Sequence, residues 1–161
     1  MRKEPASIGV ISDTHGLLRE EALQALRGSA LIVHAGDIGG QEILSALEAL
    51  APVVAVRGNT DHDEWAEVLP ETAVAQAGDS LIYVIHDLHR LDLDPAAAGF
   101  HMVVSGHTHK PLRFERSGVI YLNPGSAGPR RFQLPITLAR VTPGIRPWKV
   151  DFIDLSSPAA T

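Results

Sequence analysis

The sequence predicts an α/β protein of two packed sheets with helices outside, and three features of it carry that prediction. In the first half, short β-branched runs alternate with amphipathic segments of helical spacing. In the second half, paired runs flank turn dipeptides and read as hairpins. Across both halves, five apolar runs end in Asp, His or Asn, four of them with glycine next to a donor, at the strand mouths where open sheets place their ligands.

The elements follow in order. Ile8-Gly9-Val10-Ile11-Ser12 leads into Asp13-Thr14-His15, and Arg19 to Leu26 then sets Ala22, Leu23 and Leu26 on one side, with Gly28 placed as a helix C-cap. Leu31 to Ala35 leads into Gly36-Asp37. The next helix is expected over Gln41 to Leu50, with Ile43, Leu44, Leu47 and Leu50 apolar. Val53 to Val56 leads into Gly58-Asn59-Thr60-Asp61, so strand, helix, strand, helix, strand implies parallel pairing. Thr72 to Gln76 and Leu81 to His86 flank Gly78-Asp79; Leu112 to Glu115 and Val119 to Leu122 flank Ser117-Gly118; Pro135 to Thr142 and Trp148 to Leu155 flank Pro143-Gly144. Between the first two hairpins, Met102 to Ser105 leads into Gly106-His107-Thr108-His109.

The 161 residues are expected to form a single domain, residues 1–161, with 156–161 a frayed tail. Composition is ordinary, 45% hydrophobic and 20% charged, with a net charge of −5 that argues against a general polyanion binder. There is no cysteine, which excludes disulfides and thiolate metal sites. The charged start Met1-Arg2-Lys3-Glu4-Pro5 has no apolar signal region, and no run approaches the roughly 20 apolar residues of a membrane helix. A cytoplasmic protein that does not engage membranes is expected, with self-association into a homo-oligomer left open.

Alone, each polar group has an ordinary explanation. Asp13 and His15 could be an N-cap and a loop imidazole, Asp37 the N-cap of the helix at Gln41, Asn59 a turn residue, and Asn123-Pro124 a turn signal. Their joint recurrence points instead to metal ligation by hard and borderline donors. His34 reads equally as a buried hydrogen-bonded imidazole or as a group that orients a ligand. His62, His89 and His101 are expected on the surface or in loops.

The combination D-x-H, G-D, G-N-x-D, a lone His and G-H-x-H resembles the calcineurin-like metallophosphoesterases. With Asn123-Pro124-Gly125-Ser126 it is most similar to their small bacterial and archaeal phosphodiesterase branch, over about Ile8 to Arg130. The resemblance implies a four-layer αββα sandwich and two divalent cations. Asp13, His15, Asp37 and His109 would hold one ion; Asp37, Asn59, His86 and His107 the other. Asp37 would bridge them, and a hydroxide between two ions about 3.5–4 Å apart would attack phosphorus. Manganese is the first expectation, with nickel, iron and zinc also suited to mixed oxygen and nitrogen donors. Asp37, Asn59, Asp61 and His107 form the expected catalytic set, and Arg130, beside Arg131, is the candidate for a substrate phosphate.

Two departures bear on chemistry. Where phosphomonoesterase relatives carry a histidine able to protonate the leaving oxygen, this chain has Thr60, which favours activated diesters. Where relatives show H-G-H, it has His86-Asp87-Leu88-His89, leaving His86 as the expected ligand and His89 as the substitute. The expected function is therefore phosphodiester hydrolysis of a small phosphorylated substrate. A nuclease or phosphomonoesterase of the same superfamily is the alternative, though without a basic stripe nucleic acid is a poor candidate substrate. Last comes a non-enzymatic scaffold, the use to which a retromer subunit of this superfamily puts the fold.

Overall fold

The computed structural model describes residues 6–156 and shows two five-stranded mixed sheets packed face to face. The expected tail therefore falls, apart from Ser156, outside the described residues. The first sheet holds β1 (Ile8–Ile11), β2 (Leu31–His34), β3 (Val53–Ala55), β9 (Thr137–Thr142) and β10 (Lys149–Asp154), in the order β10-β9-β1-β2-β3. Its three N-terminal strands are parallel, as the intervening helices α1 (Glu20–Leu26) and α2 (Gln41–Glu48) require. The second holds β4 (Thr72–Ala77), β5 (Ser80–Ile85), β6 (Met102–Val104), β7 (Leu112–Arg116) and β8 (Val119–Asn123), in the order β4-β5-β6-β8-β7. Here β5, β6 and β8 are parallel, and the three expected hairpins pair antiparallel.

Alternation along the strands sorts side chains between layers. Val10, Val33, Ile82, Val84, Met102, Val104, Ile120 and Leu122 fill the space between the sheets. Leu26, Ile43, Leu44 and Leu47 of the two helices cover the far face of the first sheet, against Ile32 and Leu138. The fourth layer is less regular than helices. Tyr83, Ile85, Val103 and Tyr121 are covered by Leu88, Leu91, Leu93 and Phe100, from a segment whose only helical piece is the 3₁₀ turn Leu88–Arg90. A further short helix, α3 (Glu64–Glu67), follows β3.

This topology decides where chemistry can occur. The parallel strands of both sheets run the same way, so the C-terminal ends of β1, β2, β3, β5, β6 and β8 share one rim. That rim carries all of the polar segments singled out above.

Candidate metal centre

Seven side chains converge on the rim in two groups. Asp13, His15 and His109 form one, and Asp37, His86 and His107 the other, with Asn59 reaching the second. In the first group the Asp13 Oδ1 lies 3.3 Å from His109 Nε2 and 3.8 Å from His15 Nε2, and those nitrogens are 3.4 Å apart. In the second, Asn59 Oδ1 lies 3.0 Å from His86 Nε2 and 3.2 Å from His107 Nδ1. One oxygen touches both groups: Asp37 Oδ2 is 3.2 Å from His86 Nε2 and 3.8 Å from His15 Nε2.

The donor set fits cations by its own chemistry. Asp13 Oδ1 is buried with no hydrogen-bond partner among the described residues, although an unpaired buried carboxylate oxygen is costly. Its other oxygen accepts from the Ser12 hydroxyl at 2.6 Å and the His107 N–H at 3.1 Å, so Oδ1 is aimed at the imidazoles by design of the loop. His86 gives its Nδ1 proton to the Ala35 carbonyl at 2.7 Å, which leaves the Nε2 lone pair facing the cluster.

The backbone is bent to achieve this. Asp13, His15, Asp37, His107 and His109 all adopt positive φ, between 46° and 73°, and only Ser117 and Phe132 do so elsewhere among the described non-glycine residues. Such conformations cost free energy, and their concentration at one rim marks a functional site. The glycines make room: a Cβ on Gly58 would collide with the Asp37 backbone nitrogen and carboxylate, and one on Gly106 with the Ser12 hydroxyl.

Several residues brace the loops. Asp61, expected in the catalytic set, points its carboxylate away from the cluster into backbone: it accepts from Ile38, Gly39 and Gly58 N–H groups at 3.0–3.1 Å. It ties the Asp37 loop to the Asn59 loop and is not free to orient a proton donor. Asn123 donates to the Gly106 carbonyl and the Thr108 hydroxyl, and Ser126 donates to the Asp13 carbonyl, so the N-P-G-S turn fastens both histidine loops. His34 takes the second of its two readings along with the first. Its Nδ1 accepts from Gly36 N–H, and Thr14 donates to the Ile38 carbonyl, so His34 Nε2 must donate to Thr14. The buried, neutral ring thus ties β2 to the loop bearing Asp13 and His15.

Electrostatics divide these imidazoles. Burial, only partly offset by Asp13 and Asp61, pushes His34 down to about 4. Burial opposes charge on His86 too, but contact with Asp37 and the field of Asp13 outweigh it and raise its pKa above 6.5. Burial likewise opposes the Asp37 carboxylate, yet His86 and the Thr60 N–H hold it well below the usual carboxylate range. Cation binding would displace the His86 proton, because a ligand nitrogen must be neutral.

Other candidates lie elsewhere. His86, not His89, stands in the cluster, while His89 is on the exposed 3₁₀ turn. His101 uses Nδ1 to accept from the Leu81 N–H at the opposite end of β6, and His62 is exposed. Arg130 is exposed, close enough to Asp154 for its charge to act there, and does not line the cleft beside the histidines. That cleft, about 340 Å³, is bounded by Asn59, His86 and His107 together with Arg57 and Arg90, which the sequence did not single out. Arginines in a loop and a 3₁₀ turn carry no local signal of a site.

A family model described as the calcineurin-like phosphoesterase superfamily domain matches residues 7–144. The chain belongs to that superfamily. It is accordingly a metal-dependent phosphoesterase, and the four-layer α/β sandwich expected from the sequence is the fold observed. Over 131 residues it is 37% identical to a probable metallophosphoesterase of Methanothermobacter thermautotrophicus, covering 74% of this chain and 76% of that protein. A solved archaeal phosphodiesterase superposes with a TM-score of 0.76 at 22% identity, over 91% of this chain and 99% of that one. The Vps29 of Entamoeba histolytica, solved with Zn²⁺, superposes with a TM-score of 0.68 at 23% identity, over 93% of this chain and 99% of that one. At those identities the two structures speak for the fold.

Proposed function

We propose that this chain is a dinuclear phosphodiesterase that hydrolyses a small phosphate ester. The observation that carries the reading is the position of Asp37 Oδ2 between the two donor groups, 3.2 Å from His86 Nε2 and 3.8 Å from His15 Nε2. A carboxylate oxygen shared in this way suits one bridging ligand for two ions. Asp13, His15 and His109 would hold the first ion with Asp37; Asn59, His86 and His107 would hold the second with it. When bound, two divalent ions would supply Lewis acidity to the phosphoryl group and a nucleophilic water at neutral pH. Manganese is the proposed native metal, consistent with three oxygen-donor residues among the seven.

The chain's own residues set the specificity. Thr60 spends its backbone N–H on Asp37 Oδ1 at 2.9 Å, and its side chain has no proton to give at neutral pH. Diesters with stable leaving groups are therefore the proposed substrates. A cleft of about 340 Å³ suits one small organic substituent, near the lower limit of ordinary ligand pockets, rather than a polymer.

Metal-free protein reconstituted with Mn²⁺, Ni²⁺, Fe²⁺ or Zn²⁺ should be assayed against aryl diesters, alkyl monoesters, cyclic nucleotides and oligonucleotides. Metal-dependent turnover led by aryl diesters is the expected result. Preference for oligonucleotides would make it a nuclease, and leaving-group-independent cleavage of alkyl monoesters would make it a monoesterase. Absence of all turnover with both ions bound would leave the dinuclear phosphodiesterase reading without support.

A further inference from the structure

We infer that Arg90 meets the leaving group of the substrate and does electrostatically what the missing acid at position 60 would do by protonation. The inference rests on the phosphodiesterase reading above. The cleft is one-sided: Asn59, His86 and His107 line it, and Asp13, His15 and His109 do not. A phosphate held at the two donor groups therefore has its substituents directed over the second group, along the wall that carries Arg57 and Arg90. These two guanidiniums differ. Arg57 is paired with Glu71 at 3.2 Å, whereas Arg90 makes no ion pair within 4.0 Å among the described residues.

The backbone of Arg90 is also held in fixed relation to His86. It ends the 3₁₀ turn Leu88–Arg90, which begins two residues after His86. Its N–H donates to the Asp87 carbonyl, and the Asp87 carboxylate accepts from the His89 N–H, so the turn is locked to the end of β5. A guanidinium is charged at every relevant pH and offers a planar fork of donors, suited to an oxygen that becomes anionic.

The balance of the reaction shows what is required of it. Water forms a new bond to phosphorus, and the bond from phosphorus to the leaving oxygen breaks, with the electron pair departing on that oxygen. One water proton ends on the product monoester, the other is released to solvent, and the departed oxygen takes a proton back from solvent afterwards. At the transition state that oxygen carries negative charge that Thr60 cannot neutralise. A cation on the cleft wall there lowers the barrier most when the leaving group is most basic.

Methyl aryl phosphates with p-nitrophenol or phenol as leaving group test this in the metal-loaded full chain. Arg90→Met should lose roughly 10²-fold in kcat with phenol and no more than about threefold with p-nitrophenol. Metal content and Tm should stay unchanged, Arg90→Lys should recover part of the loss, and added guanidine should rescue Arg90→Met. Equal losses with both leaving groups, or none, would overturn the assignment. A second readout does not need turnover: phenyl methylphosphonate, added to zinc-loaded protein, should shift the Arg90 side-chain Nε–H resonance. If that anion perturbs His86 and His107 but not Arg90, the Arg90 role fails and the phosphodiesterase reading stands. If no diester is hydrolysed and the anion does not bind, both fail together.

Discussion

Replacing Asp37 with asparagine is the perturbation on which the geometry speaks most sharply. Asn would keep an oxygen for the Thr60 N–H, now at 2.9 Å from Asp37 Oδ1, so the loop need not move. At the other position it would put an NH₂ where Oδ2 faces His86 at 3.2 Å and His15 at 3.8 Å. Both donor groups thereby lose one negative charge and gain a donor that repels a cation. Removing a single electrostatic group from an active site commonly costs about 10²-fold or more. A group shared by two ions should cost that twice, about 10⁴-fold, or roughly 5.5 kcal/mol at 1.36 kcal/mol per decade. The assay is kcat/KM for an aryl diester at fixed free metal, with bound metal counted in the same sample. In metal-free protein a second signal follows: without Asp37, burial prevails at His86, and its pKa measured by NMR should fall relative to the parent. A variant that holds two equivalents of metal and turns over within tenfold of the parent would refute the bridging role.

Further expectations follow from the braces and the buried histidine. Asp61→Ala leaves three backbone N–H groups without their acceptor, which should cost at least about 3 kcal/mol and lower Tm by roughly 6–12 °C in a chain of this size; an unchanged Tm would deny its role as a brace. In metal-free protein, His34 binds its proton near pH 4 when folded and near 6.5 when unfolded, so its contribution is complete above 6.5 and is lost as pH falls towards 4. Denaturant unfolding should show a loss of about 3 kcal/mol across that window, and Thr14→Val together with His34→Leu should flatten it. The Asp37–His86 pair has a raised histidine and a lowered carboxylate, so its stabilisation is complete between pH 3.8 and 6.5 and declines outside. Thr60→His should raise alkyl monoesterase activity by no more than about tenfold, because Asp61 is committed to backbone and cannot orient the imidazole; its mark would be a new basic limb in the pH–rate profile.

Much of this was legible in the sequence, for a physical reason. Strand ends must turn, and Asp13, Asp37, Asn59, His86 and His107 recur at those ends, with glycine directly before Asp37, Asn59 and His107, so one spacing reports both the sheet edge and the candidate donor set. The hairpins were equally plain, since Ser117 and Gly118 supply the two positive φ values of a tight turn. What escaped were relations between distant segments. Nothing local says that Asp61 will accept from Ile38 and Gly39 of another loop, or that β6 pairs with β8 while β7 takes the edge. The left-handed backbone at five of the donor residues was also hidden, because Asp and His tolerate that conformation without requiring it. Adjacency to the N-P-G-S turn in sequence did not bring Arg130 to the cleft, whereas Arg90 lines it through the 3₁₀ turn that follows His86.

One oxygen of Asp37 is proposed to join two ions into a single centre. Electron paramagnetic resonance of metal-free protein titrated with Mn²⁺ tests it most directly, because ions about 3.5–4 Å apart across a shared oxygen are magnetically coupled. The spectrum of an isolated ion should give way to that of an exchange-coupled pair as the second equivalent is added, in step with aryl diesterase activity. Two equivalents bound as uncoupled ions, or full activity at one equivalent, would contradict it.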